Sequence, residues 1–202
     1  MSHLLKAYFT ASLFFGVAFA APNLENYDYK IVVNYQDLLL QVYDQQGNPV
    51  TLSEQSDHGP VKLDVLPITG PPRKASYWGK GGYISKVVVN PYWQPTPGTI
   101  RAYERRYNLK LPENIAPGDS RNAMGKFKIY IQFDEPVGMP IRIHGTNHPE
   151  QISMRISRGC IRTLNEQGKL MLERLAGRPL DEEFASNQTV EIEVAPTRVV
   201  FE

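Results

Sequence analysis

The chain holds one cysteine, Cys160, within HGTNHPEQISMRISRGCIR, residues 144–162, a stretch that opens on His144. A lone thiol can be a small buried hydrophobe, half of an intermolecular bridge, or a nucleophile. Arg158 and Arg162 flank Cys160 and Gly159 precedes it, which describes an electropositive turn better than a core position. Such surroundings are expected to depress a thiol pKa and favour thiolate. An imidazole with a pKa near 6.5 can take a thiol proton and return it to a leaving group. Sixteen positions separate His144 from Cys160, and the turn-forming GTNHPEQIS between them permits the chain to fold back.

Competing chemistries fit less well. His148 follows His144 by four positions, the spacing of a metal pair on a helix. Gly145 and Pro149 argue against a helix there, and no carboxylate or second cysteine completes a ligand set, so no metal and no cofactor is expected. A thiol redox protein would need paired cysteines. His58 reads as a solvated loop residue, Trp78 as packing, and Trp93 as packing or the rim of a site.

The N-terminus bears on the thiol. After MSHLLK, residues 7–20 carry no charge, and Ala18-Phe19-Ala20 places small residues where a signal peptidase reads, so residues 1–20 are expected to be a cleaved signal with the cut before Ala21. The run is shorter than the roughly 20 residues that span a bilayer, and no later segment is longer, so no membrane span is expected after cleavage. The expected compartment is the periplasm, where cysteines normally oxidise in pairs. Cleavage removes Lys6 and no acidic residue, taking the formal charge from +1 to 0, which leaves no general attraction for nucleic acid. About 180 residues remain, enough for one domain with its own core.

Two strands are expected around Ile31–Val33 and Leu38–Tyr43, with a turn at Gln46–Pro49. VKLDVLPITG reads as a strand, GPPRKASYWGKGG as a loop, and YISKVVVNPYWQPTP as a strand stopped by prolines. Ile100–Pro112 is expected to be a charged helix ended by its proline. FKIYIQFD and MPIRIHG read as strands, NEQGKLMLERLAG as a helix from an Asn start to Gly177, and TVEIEV as a last strand. The fold class expected is mostly β, a sandwich or barrel-like domain carrying a few short helices. His144 then ends a strand and Cys160 precedes a helix.

The ordered set of segments resembles the L,D-transpeptidase (YkuD-type) catalytic domain. H-G-T-N-x-P from His144 and S-x-G-C-I-R from Ser157 carry the resemblance, with NPYWQPTP (90–97), PGDSRNAMGKFKIYI (117–131) and the opening hairpin as further matches. It spans roughly residues 29–195, with 21–28 as an N-terminal extension and 196–202 as a C-terminal tail. The resemblance implies cleavage of a peptidoglycan stem peptide after its third residue, a thioester on Cys160, and His144 as base and acid. It implies that Gly159 lets the substrate approach, that the Cys160 N–H faces an oxyanion, and that Ser157, Arg158, Arg162, Gly145 and Thr146 line the substrate. The implied acceptor is a stem diaminopimelate amine, a lipoprotein lysine, or water, which would make an L,D-carboxypeptidase. Arg158 stands where the family often has histidine, the one feature leaning toward a non-catalytic peptidoglycan-binding protein of the same fold.

Overall fold

The computed structural model describes residues 26–56 and 59–202; the expected signal and His58 lie outside them. The first hairpin forms as its alternation predicts. β1 (Tyr29–Asn34) buries Ile31 and Val33, and β2 (Leu39–Asp44), antiparallel to it, buries Leu40 and Val42. VKLDVLPITG does not make one strand. Its halves belong to β4 (Gly59–Leu63), paired with β3 (Leu52–Ser56) in a separate two-stranded sheet, and to β5 (Leu66–Pro67), paired with β2.

β6 (Gly81–Val89), β7 (Phe127–Phe133) and β8 (Arg142–His144) follow as antiparallel neighbours, and β9 (Ile161–Arg162) adds parallel to β8. Along this register Val87, Ile129, Ile143 and Ile161 form one buried row across four strands. Because side chains alternate across a strand, the residues flanking that row are turned to the opposite face.

Two expectations are corrected. The anticipated tail, residues 196–202, is instead the site of β11 (Thr197–Phe201), parallel to β1 and antiparallel to β6, in the middle of the order β5-β2-β1-β11-β6-β7-β8-β9. Thr197, Val199 and Phe201 are buried, an alternation whose meaning depends on two partners far away in sequence. The charged helix is α1 (Pro97–Tyr107), earlier than expected: the Thr99 N–H donates to Thr96 Oγ1, and Pro97 supplies the first turn. Asn108, left-handed at φ 52°, ends it, four residues before Pro112.

α2 (Asn165–Ala176) runs to a left-handed Gly177 and buries Leu170, Met171, Leu172 and Leu175. α3 (Asp181–Ala185) is a short helix that periodicity did not reveal, and β10 (Val190–Ile192) pairs with β6. The long mixed sheet curls into a half-barrel rather than a two-sheet sandwich. Its edges meet where Thr69, just beyond β5, exchanges backbone hydrogen bonds with Arg162 of β9, at 2.8 and 3.1 Å.

The place of β11 gives a direct test. Phe201 is fully buried among Tyr77, Trp78 and Phe133, so Phe201→Ala should cost about 3–5 kcal/mol and lower the thermal midpoint by many degrees. Glu202→Ala, on an exposed neighbour, should leave the midpoint unchanged. Equal midpoints for the two variants would refute the central position of the strand.

Candidate active site

The register of the last three strands gathers the polar residues. Lys128 lies beside His144, Tyr130 beside Arg142, and His144 beside Arg162, all opposite the buried isoleucine row. Continuing the β8–β9 register by one residue brings Cys160 next to Arg142. His144 and Cys160 are therefore diagonal neighbours on one face of adjacent parallel strands. Strand spacing and rise put their Cα atoms about 8 Å apart, a gap that a thiol and an imidazole leaning together can span. Among the described residues no hydrogen bond joins the two, and catalytic contacts commonly tighten only around a substrate.

His144 is 2% exposed, and its Nδ1 lies 2.6 Å from the Gly145 carbonyl oxygen. A carbonyl only accepts, so Nδ1 carries the proton and Nε2 keeps its lone pair. Burial, with the positive charges of Arg162 and Lys128, holds the imidazole pKa down to about 3, against the opposing pull of the Gly145 and Met124 carbonyls. Burial also pushes the half-buried Cys160 thiol above its ordinary value. An Arg142 N–H and the charges of Arg142, Arg162 and Lys128 pull the other way and do not prevail. The expected thiolate is thus corrected to a neutral thiol beside a neutral imidazole, because desolvation outweighs the nearby cations.

The flanking arginines differ from expectation as well. Arg158 is exposed and donates from Nη1 to Thr99 Oγ1 of α1 at 2.8 Å, so its charge is turned from the sulfur. Arg162 is half-buried, donates to Gln151 Oε1 at 3.0 Å, and has a buried Nε without a partner.

Backbone geometry holds Cys160. Gly159 sits at φ +137°, a conformation that side chains strain against, although a Cβ there would meet only Met139 and Ile141 at ordinary contact distance. Its N–H donates to Ser157 Oγ at 3.2 Å, and its carbonyl accepts from the buried Tyr77 hydroxyl at 2.6 Å. Ser157 thus fastens the turn. The Cys160 N–H makes no hydrogen bond among the described residues.

The His144 loop is clamped from α2. The Asn165 side chain leaves the α2 terminus uncapped and spans two segments instead, accepting from Lys126 N at 2.9 Å and donating to the Thr146 carbonyl at 3.0 Å. A Cβ on Gly145 would stand 2.1 Å from that amide oxygen, so only glycine fits. Thr146 is buried, and its hydroxyl accepts the His148 N–H. Gly145 and Thr146 therefore shape the loop from beneath. His148 is exposed and faces Glu150, while Trp93 is half-buried and bridged through its backbone to Ile115. Tyr77, Arg142, Lys128 and Asn165 are the site residues that motif reading missed. Only the polar alternation in FKIY and IRIH signalled two of them. A polar cavity of about 730 Å³ at the far end of α2, lined by Asp28, Asp44, Arg174 and Glu193, takes no part in the arrangement.

The buried neutral imidazole makes stability depend on pH. Below about pH 6.5 the unfolded chain protonates His144 while the folded chain resists until about pH 3. Stability from this residue is therefore complete above 6.5 and falls through that window, by up to about 1.4 kcal/mol per unit. Thermal midpoints between pH 7 and 4 should fall more steeply for the native chain than for His144→Gln. Parallel curves would mean that the ring is already charged in the fold.

Comparison with known proteins bears on the family. The family model of the YkuD L,D-transpeptidase catalytic domain matches residues 28–192. A probable L,D-transpeptidase, ErfK/SrfK, of Escherichia coli K12 is 39% identical over 146 residues, which is 72% of this chain and 40% of that protein. A second from the same organism, YbiS, is 33% identical over 92 residues, 46% of this chain and 28% of the relative. The chain thus spans less than half the length of these relatives. Among solved structures, L,D-transpeptidase 3 of Mycobacterium tuberculosis aligns with a TM-score of 0.45 and 11% identity, over 87% of this chain and 61% of that one. With the family model covering most of its length, the chain belongs to the L,D-transpeptidase catalytic domain family.

Proposed function

We propose that this chain is a cysteine acyltransferase that cuts a peptidoglycan stem peptide after its third residue and passes the acyl group to an amine. The observation that carries the reading is the placement of His144 and Cys160 on one face of adjacent strands, with the Cys160 N–H unengaged beside the sulfur. As the sulfur attacks the scissile carbonyl carbon, Nε2 of His144 takes the thiol proton, so a neutral resting pair is the right starting state. The Cys160 N–H lies where the developing oxyanion forms. The C–N bond then breaks, the imidazolium returns its proton to the departing amine, and D-alanine leaves with a thioester on Cys160. An incoming amine gives up a proton to the same nitrogen, attacks the thioester and restores the thiol.

The acceptor is a diaminopimelate amine of a second stem, a lipoprotein lysine, a free D-amino acid or water. Export to the periplasm belongs to this proposal and follows from residues 1–20. The non-catalytic alternative leaned on Arg158, whose bond to Thr99 leaves His144 independent of it.

Incubating the mature protein with a defined tetrapeptide muropeptide and separating products by mass tests the reading. A dimer, an exchanged residue or a tripeptide is expected, and each names its acceptor. Cys160→Ala should abolish turnover, and His144→Gln should slow it about 10²- to 10⁴-fold. Binding to sacculi without any change in muropeptides would favour the alternative instead. A second measurement addresses the proton. With the thiol held above its ordinary value, alkylation of Cys160 by iodoacetamide should still be accelerating as pH rises past about 9. A plateau reached by neutral pH would point to a preformed thiolate–imidazolium pair.

A further inference from the structure

Three cations share the sheet face that carries the thiol, and none has a carboxylate partner among the described residues: Lys128, Arg142 and Arg162. Uncompensated positive charge gathered about a neutral nucleophile costs folding energy unless a ligand supplies the counter-charge. The three are not equally free. Lys128 reaches toward the Tyr92 carbonyl at 3.5 Å and lies over the Tyr130 ring. Arg162 is committed to Gln151, and its Nε is buried.

Arg142 differs. It is the immediate neighbour of Cys160 when the β8–β9 register is continued by one residue. Its guanidinium stacks on Tyr130, 4.4 Å from the ring centroid, and spends Nη1 on the Ile141 carbonyl at 2.8 Å. A planar fork held by an aromatic face, with N–H groups to spare, is suited to a carboxylate. The residue also lines an open groove of about 450 Å³ along the β7–β8 connection, with Phe133, Val137, Met139 and Ile141.

We propose that Arg142 binds the C-terminal carboxylate of the leaving residue of the acyl donor, and so makes the enzyme select stems ending in a free acid one residue beyond the scissile bond. This rests on the acyl-transfer reading above. In such a donor the carboxylate is separated from the scissile nitrogen by one carbon, so a nucleophile attacking the carbonyl leaves the acid within one residue's reach. Arg142, one strand over from Cys160, is the cation at that range. A longer stem or an amidated end removes the charge from that place, and the arginine is left unpaired.

The test compares two synthetic tetrapeptide donors, one ending in a free carboxylate and one in a primary amide, on the native chain, Arg142→Gln and Arg142→Lys. The native chain should favour the acid tenfold or more in kcat/KM. Arg142→Gln should raise KM for the acid about tenfold more than for the amide, bringing the ratio near one, while Arg142→Lys keeps part of the preference. Any effect of the lost charge on the thiol acts on both donors and cancels in the ratio. Turnover with the preference intact in Arg142→Gln, or an equal loss on both donors, overturns this role for Arg142 and leaves the acyl-transfer reading standing. A native chain that turns over neither donor overturns both.

Discussion

The structure depends on the meeting of its two sheet edges. Ile68, Thr69 and Gly70, continuing from the strand at one edge, form backbone hydrogen bonds with Ser153, Arg162, Met154 and Ser157 at the other. Each bond contributes about 1 kcal/mol net, so none of them alone secures the segment. Together they fasten residues 153–162, most of which have no regular structure, to a stretch more than eighty residues earlier. Ser157 then positions Gly159, and Gly159 positions Cys160. Tyr77 adds a second anchor, because its ring packs with Trp78, Phe133 and Phe201 while its hydroxyl holds the Gly159 carbonyl. The turn that carries Cys160 is thus fixed through its backbone.

Electrostatics follow from the same placement. A histidine oriented by a carboxylate would be drawn toward the charged form and would favour a standing ion pair with the thiol. Here a carbonyl does the orienting, which selects the tautomer without adding charge. Burial and two cations press the imidazole toward neutrality, and burial also keeps the thiol protonated despite three cations. Both groups rest uncharged, so in the proposed acyl transfer charge separation would wait for a substrate.

The strands and the family were legible in the sequence, the setting of the candidate site less so. Alternation in KIVVN, FKIYIQF and IRIH located strands, and the lone Cys160 with His144 named a candidate pair that the register places on one sheet face. The thiol's protonation was not legible, because arginines near in sequence suggested thiolate while burial, a property of the fold, reversed the sign. Arg158 shows the same limit: adjacent to Gly159 along the chain, it turns outward to Thr99. TRVVF alternates as cleanly as any strand. Its role was missed because only β1 and β6, neither of them near it in sequence, distinguish a central strand from an end. The helix stop at Asn108 escaped for a local reason, since Pro112 is a more obvious breaker than one asparagine in a left-handed conformation.

The segments that carried the family resemblance outside the reactive pair turn out to be held by amides. Asn90, at φ 50°, donates to the Glu183 and Gln188 carbonyls, tying the end of β6 to α3 and the segment after it. Asn122 donates to the Pro91 and Ala116 carbonyls and accepts the Met124 N–H, while its own carbonyl receives Asn147. Asn165 closes the set between Lys126 and Thr146. In Asn122 and Asn165 a donor and an acceptor on one rigid plane satisfy C=O and N–H groups of separate segments at once. Aspartate would keep the shape, lose both donors and set a charge against carbonyl oxygens, so the motif's asparagines answer to unpaired backbone rather than to substrate. The residues proposed to act on a ligand are correspondingly few: Arg142 and His144 lie on β8, where the pleat decides which way they face, and Cys160 immediately precedes β9.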